Sequence, residues 1–146
     1  MKLSTKGRYG VKAMADLAIN YEKGPISIKS ISGRQNISEY YLEQLFSTLR
    51  KAGLIKSIRG SGGGYILGKA PNGITVYEIL EVLEGPIEIS TCLDSNECNN
   101  VECCATRAVW KKIKDSIDSV TLSITLQDIV DDYNNIAIIK GVNINE

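Results

Sequence analysis

Gly60-Ser61-Gly62-Gly63-Gly64 constrains this 146-residue chain more than any other stretch. Four glycines and a serine can neither continue a helix nor fill a core, so the run predicts a turn. Leu54–Arg59 before it and Tyr65–Leu67 after it read as two short strands, and together they make a hairpin. A nucleotide loop is the competing reading. GSGGGY lacks the Lys-Ser/Thr of a P-loop, and no helix follows it as a nucleotide fingerprint requires.

The hairpin follows three predicted helices. Residues 6–21 place Val11, Met14, Ala18 and Tyr21 on one apolar face, until Gly24-Pro25 breaks the helix. Ser27 then caps a short helix that buries Ile28 and Ile31. Asn36-Ile37 turns the chain into Ser38, a second N-cap. Leu42, Leu45, Phe46 and Leu49 follow as an apolar stripe, and this third helix ends at Gly53. Two helices joined by a tight turn form a helix-turn-helix, whose second helix can enter the major groove. Its polar side carries Ser38, Tyr40, Glu43, Gln44 and Ser47, groups able to reach base edges or phosphates. A solvated helix face is the plain alternative. The hairpin directly behind it, with Arg59 at the glycine tip, favours a winged helix whose guanidinium reaches a minor groove.

Charge points the same way. The chain is formally neutral, yet residues 1–70 carry twelve basic against four acidic side chains, a net +8, and the remainder carries −8. One half is attracted to a polyanion and the other is not. The basic N-terminus has no apolar run behind it long enough for a signal peptide or membrane span. A soluble cytoplasmic protein without membrane association is expected, in a compartment where thiols stay reduced.

Thr75 and Glu78 predict a capping box for a fourth helix with a buried stripe of Val76, Ile79, Leu80 and Leu83, ended by Gly85-Pro86. All four cysteines follow within thirteen residues: Cys92, Cys98, Cys103 and Cys104. Cys92, Cys98 and Cys104 are separated by five residues each in a polar segment. Such thiolates suit an iron–sulfur cluster or zinc, whereas buried thiols or disulfides fit the polarity and compartment less well. A fifth helix, about 106–120, repeats Trp110, Ile113, Ile117 and Val120 at three, four and three residues, a seam suited to a subunit interface. Thr125 caps a last helix burying Leu126, Ile129, Val130 and Tyr133, and the tail after Asn134 is less defined. The expected architecture is mainly α: a winged helix-turn-helix domain with a small β wing (1–85), a cysteine-rich cluster-binding loop (86–105), and a dimerisation helix with a C-terminal helix (106–146).

MKLSTKGRYGVKAMADLA, SEYYLEQLFSTLRKAGLIKSIRGSGGGYILGK and the cysteine segment ending in ATRAVW occur together and in order. With them the chain, from Met1 to about Tyr133, resembles the iron–sulfur cluster regulators of the winged-helix Rrf-two family of bacterial transcription factors. The resemblance implies a homodimer on double-stranded operator DNA, dimerising through the long helix after the cysteines. It marks Ser38, Tyr41, Glu43 and Gln44, with Ser57 and Arg59 in the wing, as DNA contacts. Glu43 can accept from a cytosine amino group while repelling phosphates, and so select among sites. The resemblance further implies Cys92, Cys98 and Cys104 as ligands of an iron–sulfur cluster, of the 2Fe–2S type.

The fourth ligand departs from the pattern. The enterobacterial-type members place a histidine where this chain has Arg107, and the chain has no histidine. Some nitric-oxide-sensing relatives recruit a carboxylate from a position that is Arg8 here. Cys103 is the remaining thiolate, although turning two adjacent cysteines onto one cluster is awkward, and the fourth ligand stays open. The expected function is a non-enzymatic regulator, a repressor or activator, sensing clusters and controlling cluster-assembly genes. Cluster binding would order Cys92–Cys104 and alter the spacing of the recognition helices. Two alternatives compete: a cluster-free regulator answering to cysteine supply, thiol redox state or a protein partner, and a small redox enzyme using Cys103-Cys104.

Overall fold

A computed structural model describes residues 3–89, 93 and 105–141. Among these residues six α-helices and one hairpin follow in the order α1 (Thr5–Ile19), α2 (Ile28–Gln35), α3 (Glu39–Lys51), β1 (Ile55–Ile58), β2 (Gly64–Leu67), α4 (Val76–Glu84), α5 (Arg107–Ser123) and α6 (Leu126–Ile139). The expected mainly α winged helix-turn-helix with a small β wing is the architecture found. Cys92, Cys98, Cys103 and Cys104 lie outside the described residues.

Helix starts follow local chemistry. Ser4, Ser27, Ser38, Thr75 and Thr125 each accept a backbone N–H from the first turn of the helix they precede, satisfying a donor that has no partner within the helix. At Thr75 only half of the expected box forms. The Glu78 carboxylate turns instead to Lys69 Nζ at 3.1 Å. The complete box belongs to Thr125 and Asp128.

One core unites these elements. Met14, Leu17, Ile31, Leu42, Leu45, Phe46, Leu49, Ile55, Ile79 and Leu126 are buried side by side. Leu126 reaches that core because the chain before α6 is tied to the chain before α4. Val76 N–H donates to Ile124 at 2.9 Å, and Leu126 N–H to the Ile74 carbonyl at 3.0 Å. Two aromatic expectations fail. Tyr21 is 45% exposed because α1 ends at Ile19 and the chain turns into a short 3-10 segment. Tyr133 is also exposed, and α6 continues to Ile139 rather than fading after Asn134.

α1 and α4 pack almost backbone to side chain. A Cβ at Gly7 would meet the Glu84 carboxylate and lie 3.0 Å from Leu80, and one at Gly10 would overlap Leu83. The hairpin pairs Ile55 with Leu67 and Ser57 with Tyr65. Ile26 adds a third backbone segment through two hydrogen bonds with Tyr65, of 2.8 and 2.9 Å. Gly64 is required there, since a side chain would strike the Ile26 carbonyl.

Candidate nucleic-acid interface

The helix-turn-helix is α2, a turn and α3. Asn36 takes the left-handed conformation (φ 56°) that ends α2. Ile37 is buried beneath the turn, and Ser38 opens α3 by accepting the Tyr41 N–H at 3.2 Å. The apolar stripe points inward, so Tyr40, Glu43 and Gln44 project outward, Tyr40 with 72% exposure. Ser38 is exposed at the head of the same helix, while Ser47 is only half-exposed.

Tyr41 behaves differently from its neighbours. It is half-buried, and its ring meets that of Tyr9 on α1 edge to face at 5.8 Å. The wing is fixed to the same helix from the core side, where Tyr65 packs on Phe46 at 4.9 Å. Ser57 and Arg59 are exposed on the outgoing strand and at the tip. α3 and the wing therefore pack on the same core, with hydrogen-bonding groups on the helix and a guanidinium on the hairpin. None of the outward side chains of α3 forms an ion pair among the described residues.

Sequence reasoning missed the joint that orients α2. Asp16 is only 2% exposed, yet its carboxylate accepts from Arg34 Nε at 2.9 Å, Arg34 Nη2 at 2.7 Å and Gln35 Nε2 at 2.9 Å. Asn20 also donates to it at 3.4 Å. The hydrogen bond to Asp16 raises the Arg34 pKa above its ordinary value, burial opposes that, and charge attraction adds to it. The available signal was an acid set among Ala13, Met14, Leu17 and Ala18, since a lone carboxylate in an apolar run needs a partner.

The proposed dimer seam is largely uncovered. Trp110, Ile113 and Val120 are exposed, Val120 to 56%, together with Val109 and Leu122. Ile117 instead faces α4, lining a cavity of about 590 Å³ with Leu80, Glu84, Pro86 and Ile87. Among the described residues no group of three His, Cys, Asp or Glu is placed to hold a metal. The expected ligands Cys92, Cys98 and Cys104, and Cys103 as candidate fourth, lie outside those residues. No helix among them is long and apolar enough to cross a membrane.

Residues 3–132 match the family described as "Rrf2: Iron-dependent Transcriptional regulator". The chain belongs to the Rrf2 family. It is accordingly a DNA-binding transcriptional regulator, and the charge division and winged helix-turn-helix have their explanation there.

Relatives within the family carry two different names. The chain is 50% identical over 129 residues to the HTH-type transcriptional regulator CymR of Bacillus subtilis, covering 88% of this chain and 89% of that protein. It is 44% identical over 130 residues to the HTH-type transcriptional regulator IscR of Escherichia coli, covering 89% and 80%. Among solved structures, CymR described as the global cysteine regulator of B. subtilis superposes with a TM-score of 0.77 at 46% identity, covering 90% of this chain and 97% of that one. IscR of T. potens superposes at 0.76 and 49%, covering 91% and 88%. The likeness therefore extends to a protein described as a cysteine regulator as well as to IscR proteins.

Proposed function

We propose that this Rrf2 regulator binds operator DNA as a homodimer and takes its signal through an iron–sulfur cluster held by Cys92, Cys98 and Cys104. The observation that carries the reading is the even spacing of three thiols between the end of α4 at Glu84 and the start of α5 at Arg107. The donor set fits a soft metal centre, with Cys103 as the candidate fourth ligand in a chain without histidine. A bound cluster would supply a redox-sensitive, oxygen-labile group.

The rest is done by the chain's own residues. Ser38, Tyr40, Tyr41, Glu43 and Gln44 present α3 to the major groove, and Ser57 and Arg59 present the wing to the flanking groove. Glu43 selects by accepting from a cytosine amino group and by repelling misplaced phosphates. Trp110, Ile113 and Val120, the exposed members of the α5 row, form the dimer seam, which sets the distance between the two recognition helices, while Ile117 packs toward α4 within the subunit. The cysteine segment joins α4 to α5, so any change in its constraint acts on the helix that sets that distance.

Two observations favour a second reading, a regulator answering to cysteine supply or thiol state without a cluster: the likeness to CymR at 50% identity and the absence of histidine. Purification without oxygen, followed by iron and sulfide analysis and visible absorption, separates the two. Stoichiometric iron and sulfide support the cluster reading, and a metal-free or zinc-loaded protein supports the other. Cys103→Ala then locates the fourth ligand: an undiminished, equally stable cluster places it elsewhere.

A further inference from the structure

The recognition helix has an electrostatic deficit. Its exposed first half carries Glu39 and Glu43, and no cation occurs along α3 before Arg50. A helix with two carboxylates facing a polyanion needs positive charge from neighbouring elements. The wing supplies Lys56 and Arg59 on one side. On the other side, α1 lies against the first turn of α3.

The packing there is specific. Tyr41, in the first turn of α3, meets the ring of Tyr9 on α1, and the Lys12 ammonium lies 5.8 Å from the centre of that same ring. Tyr9 thus holds Lys12 next to the recognition helix by a cation–π interaction. Arg8 stands one turn earlier on the same face of α1, four residues from Lys12. Both side chains are exposed, and neither forms an ion pair among the described residues, unlike Arg34, Lys69, Lys111 and Lys114.

We propose that Arg8 and Lys12 of α1 form a phosphate-contacting surface that extends the DNA interface beyond the helix-turn-helix and the wing. Its partner is the backbone of duplex DNA beside the major-groove segment entered by α3. Phosphate contacts of this kind fix position and add affinity without reading sequence. The surface rests on the assignment of α3 as the recognition helix.

The test is a salt series with a mixed-sequence DNA duplex of about 30 base pairs, long enough for two half-sites. For Lys12→Gln and Arg8→Gln the slope of log K against log salt should become shallower by about 0.9 for each phosphate that the variant no longer neutralises. Lys12→Arg should restore the slope, and Lys140→Gln on the C-terminal side of α6 should leave it unchanged. Thermal midpoints equal to that of the unsubstituted protein establish that each variant is folded. An unchanged slope in folded Lys12→Gln and Arg8→Gln would overturn the proposal while leaving duplex binding intact. Failure of the unsubstituted protein to bind any duplex would overturn the reading of α3 itself.

Discussion

Ser4 and Glu84, eighty residues apart, tie the start of α1 to the end of α4: Ser4 donates its backbone N–H at 2.9 Å, and its hydroxyl as well, to one Glu84 carboxylate oxygen. The carboxylate sits at the N-terminus of α1, where the helix dipole and free N–H groups favour an anion. Glu84 is also the last residue of α4 before the chain departs toward the cysteines. Glu84→Ala should therefore lower stability by about 1–2 kcal/mol, toward the low end for a charged hydrogen bond because the site is exposed. Gly10→Ala, which forces a Cβ against Leu83, should cost about 1–3 kcal/mol. Urea unfolding measures both.

Asp16 and Arg34 give a sharper asymmetry. Removing Arg34 leaves a buried carboxylate with only Gln35 and Asn20 as side-chain donors, whereas removing Asp16 leaves an arginine that is 42% exposed and can hydrate. Arg34→Ala is expected to cost about 3 kcal/mol and Asp16→Ala less. The raised Arg34 pKa adds stability that is fully present below the unfolded-state value. That contribution disappears only as pH climbs through the still higher folded-state value, in strong alkali. Stability measured between about pH 6 and 9 should show no loss from titration of Arg34.

The recognition helix and wing should separate by phenotype. Arg59→Ala is expected to weaken binding to the operator and flatten its salt dependence. Glu43→Ala should relax discrimination between bases, by about 1–3 kcal/mol at the position it reads, while raising affinity for unrelated DNA. Competition titrations with systematically altered duplexes measure both quantities.

Much of the surface that α3 and the wing present was legible from local pattern. The Leu42, Leu45, Phe46, Leu49 stripe fixes the inward face of α3, and the outward position of Tyr40, Glu43 and Gln44 follows by helical geometry. Ser38 and the glycine run mark boundaries that need only neighbouring residues. What pattern could not supply were interactions made across the fold. The Tyr9–Tyr41 pair, the Asp16–Arg34 joint and the Gly7 and Gly10 clearance each depend on a partner from another helix. Tyr21 and Tyr133 misled because both extend an apolar spacing past where the core ends. Tyr21 follows the last turn of α1, and Tyr133 lies on the outer side of α6.

The exposed row on α5 carries a prediction about assembly. Val120→Asp or Ile113→Asp places a charge where an apolar partner surface is proposed, and the dimer dissociation constant should rise by at least about tenfold in sedimentation equilibrium, the cost of one buried charge being several kcal/mol. The winged domain should retain its helical spectrum, since neither residue belongs to the buried core. DNA affinity should fall as dimerisation is lost, because two linked half-sites are replaced by one.

Control by the cysteine segment over how the two recognition helices meet DNA is tested most directly by one comparison. Protein purified without oxygen is divided, one half is stripped of iron and sulfide under reducing conditions, and both halves are titrated against the same operator duplex. A difference in affinity of at least about tenfold, within the usual range of coupling between two sites and abolished in Cys92→Ala, is the predicted result; equal affinity of a demonstrably cluster-loaded and a cluster-free dimer would contradict the account.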